Sequence, residues 1–188
     1  MAAGLVLSAS RGFSATETYK IDPVHSTIGF KVRHITGKVT GRFADVTGLI
    51  TIDPDRPENS SVEATIAAKS IDTANEKRDS HLKSPDFFDV EKFADITFKS
   101  KKVRQIDKET ADVLGDLTIH GVTNEVTLRV QFLGKGKGMD GSPQTGWEAT
   151  TKIDRTKFGL TWSKVVEGTS MVGNDVEITL EIESNLAK

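Results

Sequence analysis

Cysteine is absent from the 188 residues. That excludes disulfides, thiolate metal sites and a cysteine nucleophile. It does not point to a reducing compartment, because a chain without thiols is equally at home in an oxidising one. No apolar run approaches the roughly 18 residues of a membrane-spanning helix, so stable membrane insertion is not expected. Neither charge dominates: 25 Lys and Arg face 27 Asp and Glu, interspersed, for a net charge of −2. Without a basic block or stripe, nucleic acid is not an expected partner.

Catalytic signatures are missing too. There is no G-x-S-x-G, no H-E-x-x-H and no P-loop. The four histidines, His25, His34, His81 and His120, match no closed zinc spacing, so no metal is expected. Gly136 to Gly141 spells G-x-G-x-x-G, but Ser142 and Pro143 follow where a dinucleotide site needs a helix. No cofactor is implied, and the carboxylates fall on wet faces and turns, with no sign of a converging acid–base pair.

What is present is a period of two. Ile28, Phe30, Val32 and His34 share one face, while Lys31 and Arg33 share the other. The same alternation runs through 62–68, 113–119, 122–132, 147–153 and 176–182. Each such run predicts a strand with one buried and one wet face, the antiparallel habit. Asp53-Pro54-Asp55-Arg56-Pro57 breaks the chain, His120-Gly121 suits a tight hairpin, and Gly134 to Gly146 reads as a glycine-rich loop. About eight strands with short links suggest a meander closed into a barrel. Thr73, followed three residues on by Glu76, predicts a capped helix over 74–83 that Pro85 stops. That one short helix is expected near a barrel end. Residues 1–18 read as an N-terminal tail or the remnant of an export signal, and 19–188 as one domain.

An eight-stranded barrel either just fills its interior with side chains or holds one ligand. Inward positions here are apolar and often small, among them Ala64, Ala68, Gly115 and Ala149. Small apolar residues leave dry space, which a lipid could occupy. The same pattern also describes an ordinary packed core, and alternation alone leaves both open.

The order of short motifs goes further. Tyr19-Lys20-Ile21-Asp22-Pro23-Val24-His25-Ser26 opens the series, followed by Phe30 to His34 and Gly41-Arg42-Phe43. Then come Ser70-Ile71-Asp72-Thr73, Arg78 to Leu82, and Ser84 to Asp89. Phe93-Ala94-Asp95-Ile96-Thr97-Phe98 has alanine where proline is more usual. Gly115 to Thr123, Ile153-Asp154-Arg155, Phe158-Gly159 and Val172 to Val176 complete it. In order and spacing the chain, from Tyr19 to Glu183, resembles the YceI-like family of bacterial lipid-binding proteins.

The resemblance implies an all-β, extended lipocalin-like antiparallel barrel. It implies a polyisoprenoid ligand, such as a prenyl quinone or prenyl phosphate, with no catalytic residue. It also implies a periplasmic or secreted protein. The expected ligand contacts are Phe30, Val32, Phe43, Phe87, Phe88, Phe93, Phe98, Leu117, Ile119 and Phe158, with His34 and Arg78 for a polar headgroup. Each phenylalanine could equally fill core. His34 could be a satisfied core histidine, Arg78 a surface ion pair, and His25 a turn cap. The ligand entrance is expected near Phe87 and Phe88. An enzyme using His34 or His25 as base, or a packed interaction module, are the alternative readings. The exposed alternation of the last strand leaves a homodimer open.

Overall fold

The computed structural model describes residues 15–163, 165–166 and 169–187. The N-terminal stretch through residue 14 lies outside the described residues. Strands β1 (Glu17–Ile21), β2 (Thr27–His34), β3 (Gly37–Phe43), β4 (Val46–Ile52), β5 (Ser61–Ala67) and β6 (Ile71–Asp72) come first. Helix α1 (Glu76–Lys83) follows. Then come β7 (Asp95–Gln105), β8 (Thr110–Ile119), β9 (Val122–Lys137) and β10 (Pro143–Asp154). The short β11 (Val165–Val166) and β12 (Thr169–Ser170) precede the long β13 (Val172–Leu186).

The barrel closes in the order β1-β4-β5-β7-β8-β9-β10-β13, with β13 returning to β1. All these pairings are antiparallel. Three of the eight strands are interrupted. β1 and β2 lie end to end along β13, since Tyr19 faces Leu186 and Thr27 faces Glu181. β4 and β3 extend each other in the same way, as do β5 and β6. The result is an eight-stranded, lipocalin-like meander with one helix. A closed sheet leaves no long edge to template aggregation.

The His120-Gly121 turn is the expected hairpin, with φ of 52° and 74°, the two positive values a type I′ turn demands. Three other local expectations change. The glycine-rich stretch is not a loop throughout: β9 runs on to Lys137 and β10 starts at Pro143, leaving a short turn in which the Gly138 amide donates to the Ser142 carbonyl at 2.9 Å. Glycines there lack inward side chains to show the period, yet their backbones still pair. The helix cap is Asn75, whose side chain accepts from the Arg78 amide, and Ala74 instead takes a left-handed φ of 57°. Strand β1 takes in Glu17 and Thr18, two residues that read as tail.

The two barrel ends differ. One carries the 35–36 turn, α1, the His120-Gly121 turn and the 155–158 turn; it is called here the helix end. The other carries the 53–60 and 106–109 loops and the β9–β10 turn; it is called the loop end. The apolar core lines the inside, from Ile21 and Ile28 through Phe98 and Leu117 to Ile153.

Ion pairs decorate the outside. Asp112 accepts from Arg104, and from Arg129 Nε at 2.6 Å. The Arg104 hydrogen bond first, then Arg129, hold its carboxyl below the usual carboxylate range against some desolvation. A carboxyl depressed on folding contributes stability above its unfolded pKa of about 3.9 and loses it as the pH falls through the folded value. Asp112→Asn is therefore expected to be less stable than the wild type at pH 7, with the gap closing below about pH 4. Urea midpoints across that range measure it, and a gap independent of pH would assign Asp112 another role.

Candidate lipid-binding site

The barrel interior is not filled. It encloses a cavity of about 540 Å³, inside the roughly 300–1,000 Å³ typical of pockets for ligands of drug size. Its wall is almost wholly apolar. Val126, Leu128 and Val130 of β9 face Val176, Ile178, Leu180 and Ile182 of β13, with Ala149 of β10 between them. These are the inward members of the alternating runs, brought to one surface because every strand's period of two points the same way.

Of the residues expected to touch ligand, eight border the cavity. Phe30, Val32 and Phe43 come from β2 and β3, Phe98 from β7, and Leu117 and Ile119 from β8. Phe87 and Phe88 come from the segment after α1. They pack across the helix end. The Phe88 ring stands edge-on to Phe43 at 5.7 Å, and Phe43 in turn lies 5.7 Å from Phe30. Phe87, buried, packs on Trp162 at 5.0 Å and edge-on to His81 at 5.1 Å. His81 also sits 2.9 Å from Asp86, which ties the helix to the turn that carries both phenylalanines.

Four expected contacts do not border it. His34 ends β2, opposite Gly37 and Val172. Phe93 packs on the outer turn, 4.5 Å from His120. Phe158 is core, fully buried in the turn after β10. Arg78 serves the helix entry: its Nε donates to Thr73 Oγ1 at 2.7 Å and Nη2 to the Thr73 carbonyl at 2.8 Å. Thr73 donates in turn, from its amide and its hydroxyl, to Asp79. The sequence signal common to these four was motif membership, which marks local architecture as readily as ligand contact.

The small inward residues also divide. A Cβ on Gly115 would stand 2.5 Å from the Phe98 ring, and one on Gly41 would stand 2.4 Å from the Phe30 ring. Those glycines make room for aromatic rings that the cavity then uses as wall. Ala64 and Ala149 are the small side chains that border the space itself.

Sequence reading missed Arg155, Leu160, Trp147 and Phe132. Arg155 is 5% exposed and edges the cavity at the helix end. Its Nε donates to the Gly173 carbonyl at 2.8 Å, and its Nη groups donate to the Leu160 and Val172 carbonyls. Burial pulls its pKa below the usual guanidinium range. It ties Leu160 to the start of β13. Trp147 packs at a tilt on Phe132 at 4.6 Å near the loop end, and its indole donates to Thr145 at 2.9 Å.

Polar groups in the wall gather at the loop end. Asp53, Ser60, Gln105, Asp107, Glu109 and Lys135 border the cavity there. Lys135 comes from β9 and Glu17 from β1, with β10 and β13 between them in the barrel, and the two partly exposed side chains form an ion pair. The buried Tyr19 hydroxyl also donates to Glu17, at 2.8 Å. The Lys135 hydrogen bond, then that of Tyr19, hold the Glu17 carboxyl below its usual range. Among the described residues no cluster of His, Asp and Glu could hold a metal ion.

Comparison with known proteins agrees with the architecture. Residues 19–184 match the family model of the YceI-like domain. The chain is similar to a UPF0312 protein of Pseudomonas fluorescens, 35% identical, with 97% of this chain and 93% of that protein covered. Among solved structures it resembles the Campylobacter jejuni YceI protein, with a TM-score of 0.70 and 33% identity over 80% of this chain and 86% of that one. It shares its fold, at a TM-score of 0.66 and 16% identity, with a polyisoprenoid-binding domain from Saccharophagus degradans; that match covers 90% of this chain and 98% of the domain.

Proposed function

Since this chain belongs to the YceI-like domain family, we propose that it binds a long-chain isoprenoid lipid in the barrel lumen and carries or sequesters it without chemical change. The supporting observation is the apolar cavity of about 540 Å³ held open inside a closed barrel. An empty apolar cavity is destabilising by roughly 20–25 cal/mol per Å³, and an aliphatic guest recovers that loss. Each methylene moved from water into such a space contributes about 0.8 kcal/mol. A tail of tens of carbons therefore binds tightly after association costs are met.

One further feature favours carriage over catalysis. Neither histidine considered as a base borders the cavity: His34 lies at a strand end, and His25 is exposed and paired with Asp22 at 3.0 Å. The resemblance to exported family members makes a periplasmic or secreted site of action part of this reading.

Organic extraction of the purified protein followed by mass spectrometry is expected to release a polyprenyl compound. Added nonaprenyl quinone, at about a hundredfold over its Kd, should raise the Tm of extracted protein by about 5–10 °C. A clean extract together with an unmoved Tm would end the carrier reading.

A further inference from the structure

We infer that the isoprenoid enters tail-first, with its tip at Phe87 and Phe88, and that the loop-end rim around Lys108 and Lys135 receives an uncharged, oxygen-bearing headgroup. This rests on the isoprenoid reading above and adds the orientation and the class of head.

The orientation follows from where the wall changes character. The helix end is crossed by packed rings, and its one charged neighbour among the described residues, Arg155, already spends its donors on three backbone carbonyls. A polar head pushed to that end would lose water without gaining partners. At the loop end the lining turns polar, with Gln105, Lys108, Thr110 and Lys135 offering donors beside the apolar space. The entrance expected from sequence at Phe87 and Phe88 would lie at the opposite end from this polar lining.

The class of head follows from charge. Asp53 is offset by Arg56 at 3.4 Å, and Lys135 by Glu17. That leaves Asp107 and Glu109 against Lys108 on the rim. Asp107 is fixed by accepting from the Glu109 and Thr110 amides at 2.9 and 2.8 Å, so it cannot swing clear. A rim of net negative charge repels a diphosphate, whereas a quinone carbonyl or an alcohol oxygen can still accept from lysine or amide donors.

The two tryptophans report on the two ends. Trp147 borders the cavity toward the rim, and Trp162 packs behind Phe87. β8 alone separates the ends by ten residues at about 3.4 Å each. In Trp162→Phe protein, nonaprenyl quinone should quench the remaining Trp147 fluorescence by more than half. In Trp147→Phe protein, the same quinone should leave Trp162 emission nearly unchanged. The reverse pattern overturns the orientation. In parallel, nonaprenyl alcohol should bind at least tenfold more tightly than nonaprenyl diphosphate at low salt, with the gap narrowing as salt screens the rim. Diphosphate binding as tightly as the alcohol overturns the assignment of an uncharged head. If neither alcohol, quinone nor diphosphate binds, it is the carrier reading itself that fails.

Discussion

Ala64→Phe is expected to weaken isoprenoid binding more than a hundredfold while the barrel still folds. Ala64 lies on β5, half-buried, and borders the cavity beside Phe98. A phenyl ring placed there takes the room of about four methylene groups of ligand, worth about 3 kcal/mol at about 0.8 each. By the usual conversion of about 1.4 kcal/mol per factor of ten, that exceeds two orders of magnitude in Kd. The fold should tolerate the ring because it grows into empty space, where overpacking strain does not arise. Titration of extracted protein with nonaprenyl quinone measures the loss, and circular dichroism checks the barrel. Unchanged affinity in a folded variant would mean that the tail lies somewhere other than this lumen.

Arg155→Met should lower stability by about 3–5 kcal/mol. Arg155 is 5% exposed and its guanidinium donates to three carbonyls. A net contribution of about 1.5–3 kcal/mol attaches to a hydrogen bond involving a charged group, and the three are coupled through one side chain. Methionine fills much of the volume and leaves the Gly173, Leu160 and Val172 carbonyls without this donor. Urea denaturation gives the size of the loss, and limited proteolysis its place, between Leu160 and Val172. Arg155→Lys should not rescue, because one ammonium cannot span three acceptors as a planar fork does. A variant with wild-type stability would show that Leu160 and the start of β13 are held by other contacts.

The two effects are read from different kinds of sequence information. Ala64 was visible as an inward position, because Val62, Ala64 and Ile66 alternate with Glu63 and Thr65. Whether its small size leaves a void depends on what stands opposite, and only the fold supplies that. Gly115 shows the difference: equally small and equally inward, it is covered by the Phe98 ring and opens no space. Arg155 appeared only as part of a motif. Its acceptors lie five residues ahead and some seventeen or eighteen ahead, in segments without periodicity, so nothing local announces the clasp. Phe93, Phe158, His34 and Arg78 sit in equally distinctive motifs, but their roles are a turn cover, a core filler, a strand end and a helix-entry brace.

The glycine-rich stretch from Gly134 to Gly146 shows the limit of pattern from the other side. It has almost no apolar period, yet β9 and β10 pair through it from Lys137 with Pro143 to Gly134 with Gly146. Backbone hydrogen bonds hold that ladder, and they leave no trace in side-chain type. The register shift between Gly146 and Trp147 reverses the period there, which lets Lys135 meet Glu17.

By itself, the sequence determined the number of strands, their inward faces, the tight His120-Gly121 turn and the family, because each is a local period or a run of residues in order. The tertiary structure alone decided that the barrel is hollow, that Phe87 and Phe88 pack across one end, and that charged side chains border the other. Empty volume and net charge at a rim are sums over walls distant in sequence, and no stretch of chain carries them until the strands have closed.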